Sequence, residues 1–127
     1  MKVMALDFGS SRTGVAVSDP TGVVARPLGV VERANLEEIA AIARDQEIGE
    51  IVVGHPLTLR GERGEQAKAA ERFAKALRGT VDVPVVLFDE RFTTDLAEQS
   101  PSSTPEDARA AAHLLSSYLE WSASSRR

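Results

Sequence analysis

Three places in the 127-residue chain set acidic side chains beside apolar stretches, where ordinary solvation does not account for them. Asp7 closes the apolar run Val3 to Leu6. A charge that ends a buried strand needs a donor, a partner or a cation, because an unpaired buried carboxylate is strongly disfavoured. The plain alternative is an acid that accepts hydrogen bonds from the turn at Gly9 and Ser10. Asp89 and Glu90 follow the apolar run Pro84 to Phe88. Side chains alternate along a strand, so only one of the two can face the side to which Asp7 points. Glu90, longer and followed by Arg91, is the one expected at the site, with Asp89 orienting a neighbour; the alternative is a solvated Asp-Glu-Arg at a strand end. Asp107 stands at the start of the last helical stretch, where Thr104, Pro105 and Glu106 already read as a capped first turn. Yet Ala111, Leu114 and Tyr118 fall within about 40° of Asp107 on a helical wheel, so the buried face carries this acid at its end. Glu106, about 100° away, is better placed to serve the cap alone.

Brought to one rim, Asp7, Glu90 and Asp107 suit two divalent ions about 3.5 to 4 Å apart, one activating an attacking water and the other stabilising a leaving oxygen. Carboxylates with retained waters select Mg²⁺ or Mn²⁺. These three are therefore the expected catalytic and metal-binding residues, and phosphodiester hydrolysis is the expected chemistry. No histidine base is required, and only His55 and His113 exist. His113 reads as a boundary residue on the flank of the last helix. His55, in the loop near the rim, is kept as a supporting residue of open role. Gly9 and Gly14 would let the backbone approach a phosphate, although glycines beside a tight turn also serve the turn.

The elements that must position these groups follow from periodicity. Lys2 to Asp7 reads as a strand buried on both faces, Thr13 to Ser18 as a second, and Val23 to Val31 as a third that Pro27 marks as an edge or as broken. The turn between the last two is Asp19-Pro20-Thr21-Gly22. Asn35 caps a helix with Leu36, Ile39, Ala40 and Ala43 on one face, ending near Gly49. Glu50 to Val53 is a fourth strand, and a loop from His55 to Gly64 leads into a helix over 65–78 that Gly79 stops. Pro84 to Phe88 is the fifth strand, and the last helix spans about 105–121, before a disordered tail over 122–127. The order β-β-β-α-β-α-β-α points to one α/β domain over 1–121 of the ribonuclease H-like class, although it also fits other mixed α/β domains. It has a five-stranded mixed sheet, an antiparallel meander extended by parallel strands, and helices on both faces.

An apolar content of 43% allows such a domain its own core. The absence of cysteine excludes a disulfide framework, a zinc ribbon and a thiol nucleophile, and fits a reducing, cytoplasmic setting. The first apolar run is too short for a signal sequence or a membrane span. Net charge argues the other way from a nuclease: 15 Lys and Arg against 19 Asp and Glu give −4, whereas nucleic-acid binders usually present a basic face. Two bound divalent ions would place four positive charges where phosphate arrives.

Four segments, DFGSSRTGVAVSD (7–19), GHPL (54–57), DERFTT (89–94) and DARAAAHLLSSYLE (107–120), resemble in order and spacing the YqgF (RuvX) family of pre-16S rRNA nucleases, also described as RuvC-like Holliday junction resolvases. The resemblance covers nearly the whole chain. It implies divalent-metal phosphodiester hydrolysis with RNA or branched DNA as partner, in 16S rRNA 5′-end maturation or on structured DNA. The family's acidic positions fall on Asp7, the Asp89-Glu90 pair and Asp107, and its basic positions on Arg12 and Arg91 as phosphate contacts. Arg60, Arg63 and Lys68 form a further group expected to draw in the nucleic-acid backbone. The chain departs from the pattern at His55, where an apolar residue is more usual, at Ser11, where lysine is, and in a short segment between Thr94 and Pro105. A resolvase needs two active sites, which favours a homodimer, but no interface stripe is legible. Two other readings stay open: a non-catalytic RNA-binding assembly factor, and an ATP-binding domain of the sugar-kinase and actin type, whose phosphate loop DFGSSRTG also resembles.

Overall fold

The computed structural model describes residues 1–90 and 106–125. Strand β1 (Val3–Asp7) is apolar at successive positions because it lies at the centre of the sheet, with helices on both faces. It pairs antiparallel with β2 (Arg12–Ser18), which pairs antiparallel with β3 (Ala25–Glu32). On its other side it pairs parallel with β4 (Glu50–His55), which pairs parallel with β5 (Val85–Asp89). The strand order is β3-β2-β1-β4-β5, the ribonuclease H-like arrangement expected from the sequence. Pro27 lies on the edge strand, and there the β2–β3 register slips, Val15 facing Gly29 and Ala16 facing Pro27. The ring that removes a ladder donor thus sits where a bulge absorbs it.

Alternation divides the core into two layers. Met4, Leu6, Val15, Val17, Ile51 and Val53 point to the face covered by α1 (Leu36–Asp45) and α2 (Glu65–Arg78), where they meet Ile39, Phe73 and Leu77. Val3, Ala5, Ala16, Val52 and Phe88 point to the opposite face, covered by α3 (Glu106–Ser125) through Ala111, Leu114, Leu115 and Tyr118. Residues of like parity at the strand ends inherit these faces, so Asp7, Gly14 and Gly54 look toward α3, and His55 and Asp89 toward α2.

Several boundaries differ from expectation, and β4 runs two residues past Val53, which puts His55 at a strand end rather than in the loop. Strand β3 begins at Ala25 rather than Val23, because the Asp19 carboxylate accepts hydrogen bonds from the N–H groups of Val23 (2.8 Å) and Val24 (2.7 Å) and holds both in the turn. Helix α1 ends at Asp45, and Glu47 takes a left-handed conformation (φ 55°) before β4. Helix α3 runs to Ser125, so four residues of the expected tail are helical, with Ser122 buried. Arg91, Thr104, Pro105 and the last two residues lie outside the described set. No helix among the described residues is long and apolar enough to cross a membrane.

Candidate active site

The parallel pairing of β1, β4 and β5 brings their carboxyl ends to one rim, the edge at which open α/β sheets take ligands. Strand β4 lies between β1 and β5, so the two outer strands run nearly 10 Å apart. Side chains at the ends of β1 and β5 can meet only above the intervening strand, and at that point the intervening residue is Gly54. A Cβ on Gly54 would fall 2.1 Å from Oε1 of Glu90. With that space free, the Glu90 and Asp7 carboxyls share a hydrogen bond over the glycine.

A second glycine stands on the other flank of Asp7. Gly14 is its register partner on β2, and a Cβ there would fall 1.9 Å from the main-chain oxygen of Asp107. The first turn of α3 therefore rests directly on the β2 backbone, close enough for the charge of Asp107 to act on Asp7. The Asp107 carboxylate is itself engaged by Arg12, with Nε 3.3 Å from Oδ2 and both side chains partly open to solvent.

Two acids in contact cannot both ionise freely. Burial pushes the Glu90 carboxyl up to about 7, and the charge of Asp7 and its hydrogen bond add to the shift. Burial also raises Asp7, helped by the charge of Asp107 and opposed by the hydrogen bond from Glu90. Below about pH 7 the pair holds a proton, which Glu90 donates to Asp7. A site of carboxylate oxygens that keeps a proton under charge repulsion has the donor chemistry for a hard divalent cation, which binds by displacing that proton. Among the described residues, however, no three acidic or histidine side chains are gathered around one point as they stand. Asp7 and Glu90 touch each other, and Asp107 is turned to Arg12.

Beside this pair opens a cleft of about 420 Å³. Asp7, Glu90, Gly9 and Gly54 border it on the sheet side, and Glu65, Gln66 and Arg72 of α2 on the other. Of the expected supporting residues, Gly9 lines the cleft, whereas Asp89 and His55 are register partners whose strands present them to the α2 face. His55 Nε2 lies 2.7 Å from Oε2 of Glu71. Arg63 grips the same carboxylate with two nitrogens, Nε at 2.8 Å from Oε2 and one terminal nitrogen on Oε1. This pulls Glu71 down to about 2, the Arg63 hydrogen bond first and that of His55 second. Arg63 is thus tied to α2 rather than extended toward a ligand, while Arg60 and Lys68 are exposed, with side chains that make no ion pair among the described residues. Gly54, Glu71 and Arg72 are the residues that sequence reasoning missed. Only Gly54 left a signal, as the glycine of GHPL.

The geometry can be set beside known proteins. A family model described as "RuvX: Holliday junction resolvase" matches residues 1–121. A Sulfurihydrogenibium sp. (strain YO3AOP1) protein named "Putative pre-16S rRNA nuclease" is 38% identical over 130 residues, 94% of this chain and 90% of its own length. A protein of the same name from Chloroflexus aggregans (strain MD-66 / DSM 9485) is 39% identical over 132 residues, 93% and 92% of the two chains. Among solved structures, T. thermophilus RuvC in complex with Holliday junction substrate superposes with a TM-score of 0.60 at 16% identity, covering 95% of this chain and 96% of that one. At that identity the likeness is one of fold. A family model that spans all but the last six residues decides the membership: the chain belongs to the RuvX family.

Proposed function

We propose that this protein is a divalent-cation-dependent nuclease that hydrolyses phosphodiester bonds at the rim of β1, β4 and β5. The observation that carries the reading is the contact of the Asp7 and Glu90 carboxyls above Gly54, at the mouth of a cleft. Asp7, Glu90 and Asp107 would hold the cation, Mg²⁺ or Mn²⁺, which supplies Lewis-acid activation of water and charge stabilisation at the phosphate. Asp7 and Glu90, which share a hydrogen bond, would have to give up any proton held between them to ligate the cation. Asp107, paired with Arg12, would have to turn from it to join the set, which would free the Arg12 guanidinium to contact phosphate. Arg60 and Lys68, exposed beyond the cleft, attract the backbone electrostatically. Precursor 16S rRNA, named for the relatives, and the Holliday junction, named for the family, are the two substrates to compare. A cytoplasmic location and one domain over 1–121 belong to the same reading.

The test is a cleavage panel of single-stranded RNA, single-stranded DNA, duplex and four-way junction with Mg²⁺ or Mn²⁺. Asp7→Asn should abolish cleavage while unfolding remains cooperative. Full activity in that variant would remove Asp7 from the reaction. A non-catalytic assembly factor, by contrast, would cut nothing and show no rise in melting temperature with Mn²⁺.

A further inference from the structure

Among the described residues, those that line the cleft include three acids, Asp7, Glu65 and Glu90, and one base, Arg72. A polyanion entering that space meets repulsion from the walls unless the base answers it. Arg72 is exposed on α2, and its side chain makes no hydrogen bond or ion pair among the described residues. The helix gives it no acid to pair with. Residues three and four positions away are Lys68, Ala69, Lys75 and Ala76, so the local sequence sets like charges beside it. The adjacent carboxylate, Glu71, is already held by Arg63 and His55. That three-residue clamp joins the loop after β4 to α2 and leaves the Arg72 guanidinium uncommitted. Among the described residues, no structural role consumes this cation.

Building on the nuclease reading, we infer that Arg72 is the substrate-positioning residue of the cleft, gripping a backbone phosphate of the nucleic acid opposite the Asp7–Glu90 pair. Arg63, the nearer candidate by sequence, acts as a strut for Glu71. A planar guanidinium can contact two phosphate oxygens at once, which fixes the strand's direction as well as its distance from the acids.

The experiment measures binding of labelled single-stranded RNA and of a four-way DNA junction by fluorescence anisotropy, across a series of salt concentrations, in chelator to silence cleavage. Arg72→Gln should weaken binding about three- to tenfold and lower the slope of log affinity against log salt by about one. Its melting curve should match the wild type, since the side chain is exposed and makes no ion pair among the described residues. Arg72→Lys should restore the salt slope but only part of the affinity. With Mn²⁺ present, Arg72→Gln should raise KM and change kcat little. Arg26→Gln, on the edge strand β3, serves as the control for generic charge loss. Equal binding by wild type and Arg72→Gln, or an equal loss in Arg26→Gln, overturns the assignment of Arg72 and leaves the nuclease reading standing. A wild-type protein that neither binds nor cuts any of the substrates overturns both.

Discussion

The carboxyl of Glu90 occupies the space that a side chain on Gly54 would fill. This substitution of one residue's absent atoms by another's functional group is what joins β1 to β5 chemically, across a strand that separates them. The two glycines beside Asp7 are not equivalent, and their difference is testable. At Gly54 a methyl meets the far end of a flexible side chain, and at Gly14 it meets main chain of α3. Gly54→Ala should therefore displace Glu90, lower activity sharply and leave the urea midpoint nearly unchanged. Gly14→Ala should cost about 1–3 kcal/mol, the usual range for overpacking a fixed contact. Equal destabilisation by the two would contradict this account.

Stability should depend on pH through Glu90. Its ordinary value is 4.5, and in the folded protein it is about 7. The native state thus retains a proton that the unfolded chain gives up. The resulting stabilisation is complete below about 4.5 and disappears as pH rises through about 7. Asp7, also raised, acts in the same direction. Urea unfolding in chelator should show stability falling across that window, and Glu90→Gln should flatten the fall. Parallel profiles for the two proteins would exclude Glu90 as the source.

Glu71 works in the opposite sense. Held at about 2 against an ordinary 4.5, it stabilises the fold above 4.5 and loses that contribution as pH falls toward 2. Glu71→Gln should release Arg63 and His55 together. Amide exchange in the segment 58–64 should then speed up, with exchange in β1 unaffected.

Arg12 and Asp107 predict two effects of opposite sign. Their ion pair is partly exposed, so Arg12→Gln should change stability by less than about 1 kcal/mol. Removing a cation that competes for Asp107 should tighten Mn²⁺ binding in calorimetry. Losing a phosphate contact should raise KM. A fall in Mn²⁺ affinity would show that Arg12 does not compete for the carboxylate.

Tyr118 donates a hydrogen bond of 2.8 Å to Glu50 Oε1 within the α3-side layer. Tyr118→Phe should cost about 1–3 kcal/mol, measured by urea unfolding, because a buried acid loses a partner. Glu50 begins β4, at the end opposite Gly54, so cleavage by the folded variant should be unimpaired.

Local sequence made the sheet legible. The unbroken apolar runs of β1, β4 and β5 mark strands buried in the sheet, Pro27 marked the edge strand, and side chains alternate between the two faces along each strand. The same alternation assigns Glu90 and Asp89 to different sides, and Glu90 is the acid in contact with Asp7. What stayed hidden depends on side chains that meet across the fold. Nothing near Glu50 announces Tyr118, 68 positions away. The clamp on Glu71 joins residues from a strand end, a loop and a helix, and no period links them. The start of β3 was misread because Asp19 bonds main-chain groups four and five residues on, which overrides the strand propensity of two valines.

Asp7 terminates the one strand whose two immediate neighbours, β2 and β4, are themselves paired on their far sides. Its backbone is therefore held on both sides in the middle of the sheet, whereas the loop before α2 is tied down by a surface contact, Arg63 on Glu71. Such a division would let the loop beside the cleft be remodelled by single substitutions, while any change at Asp7 would meet the tolerance limits of the whole sheet.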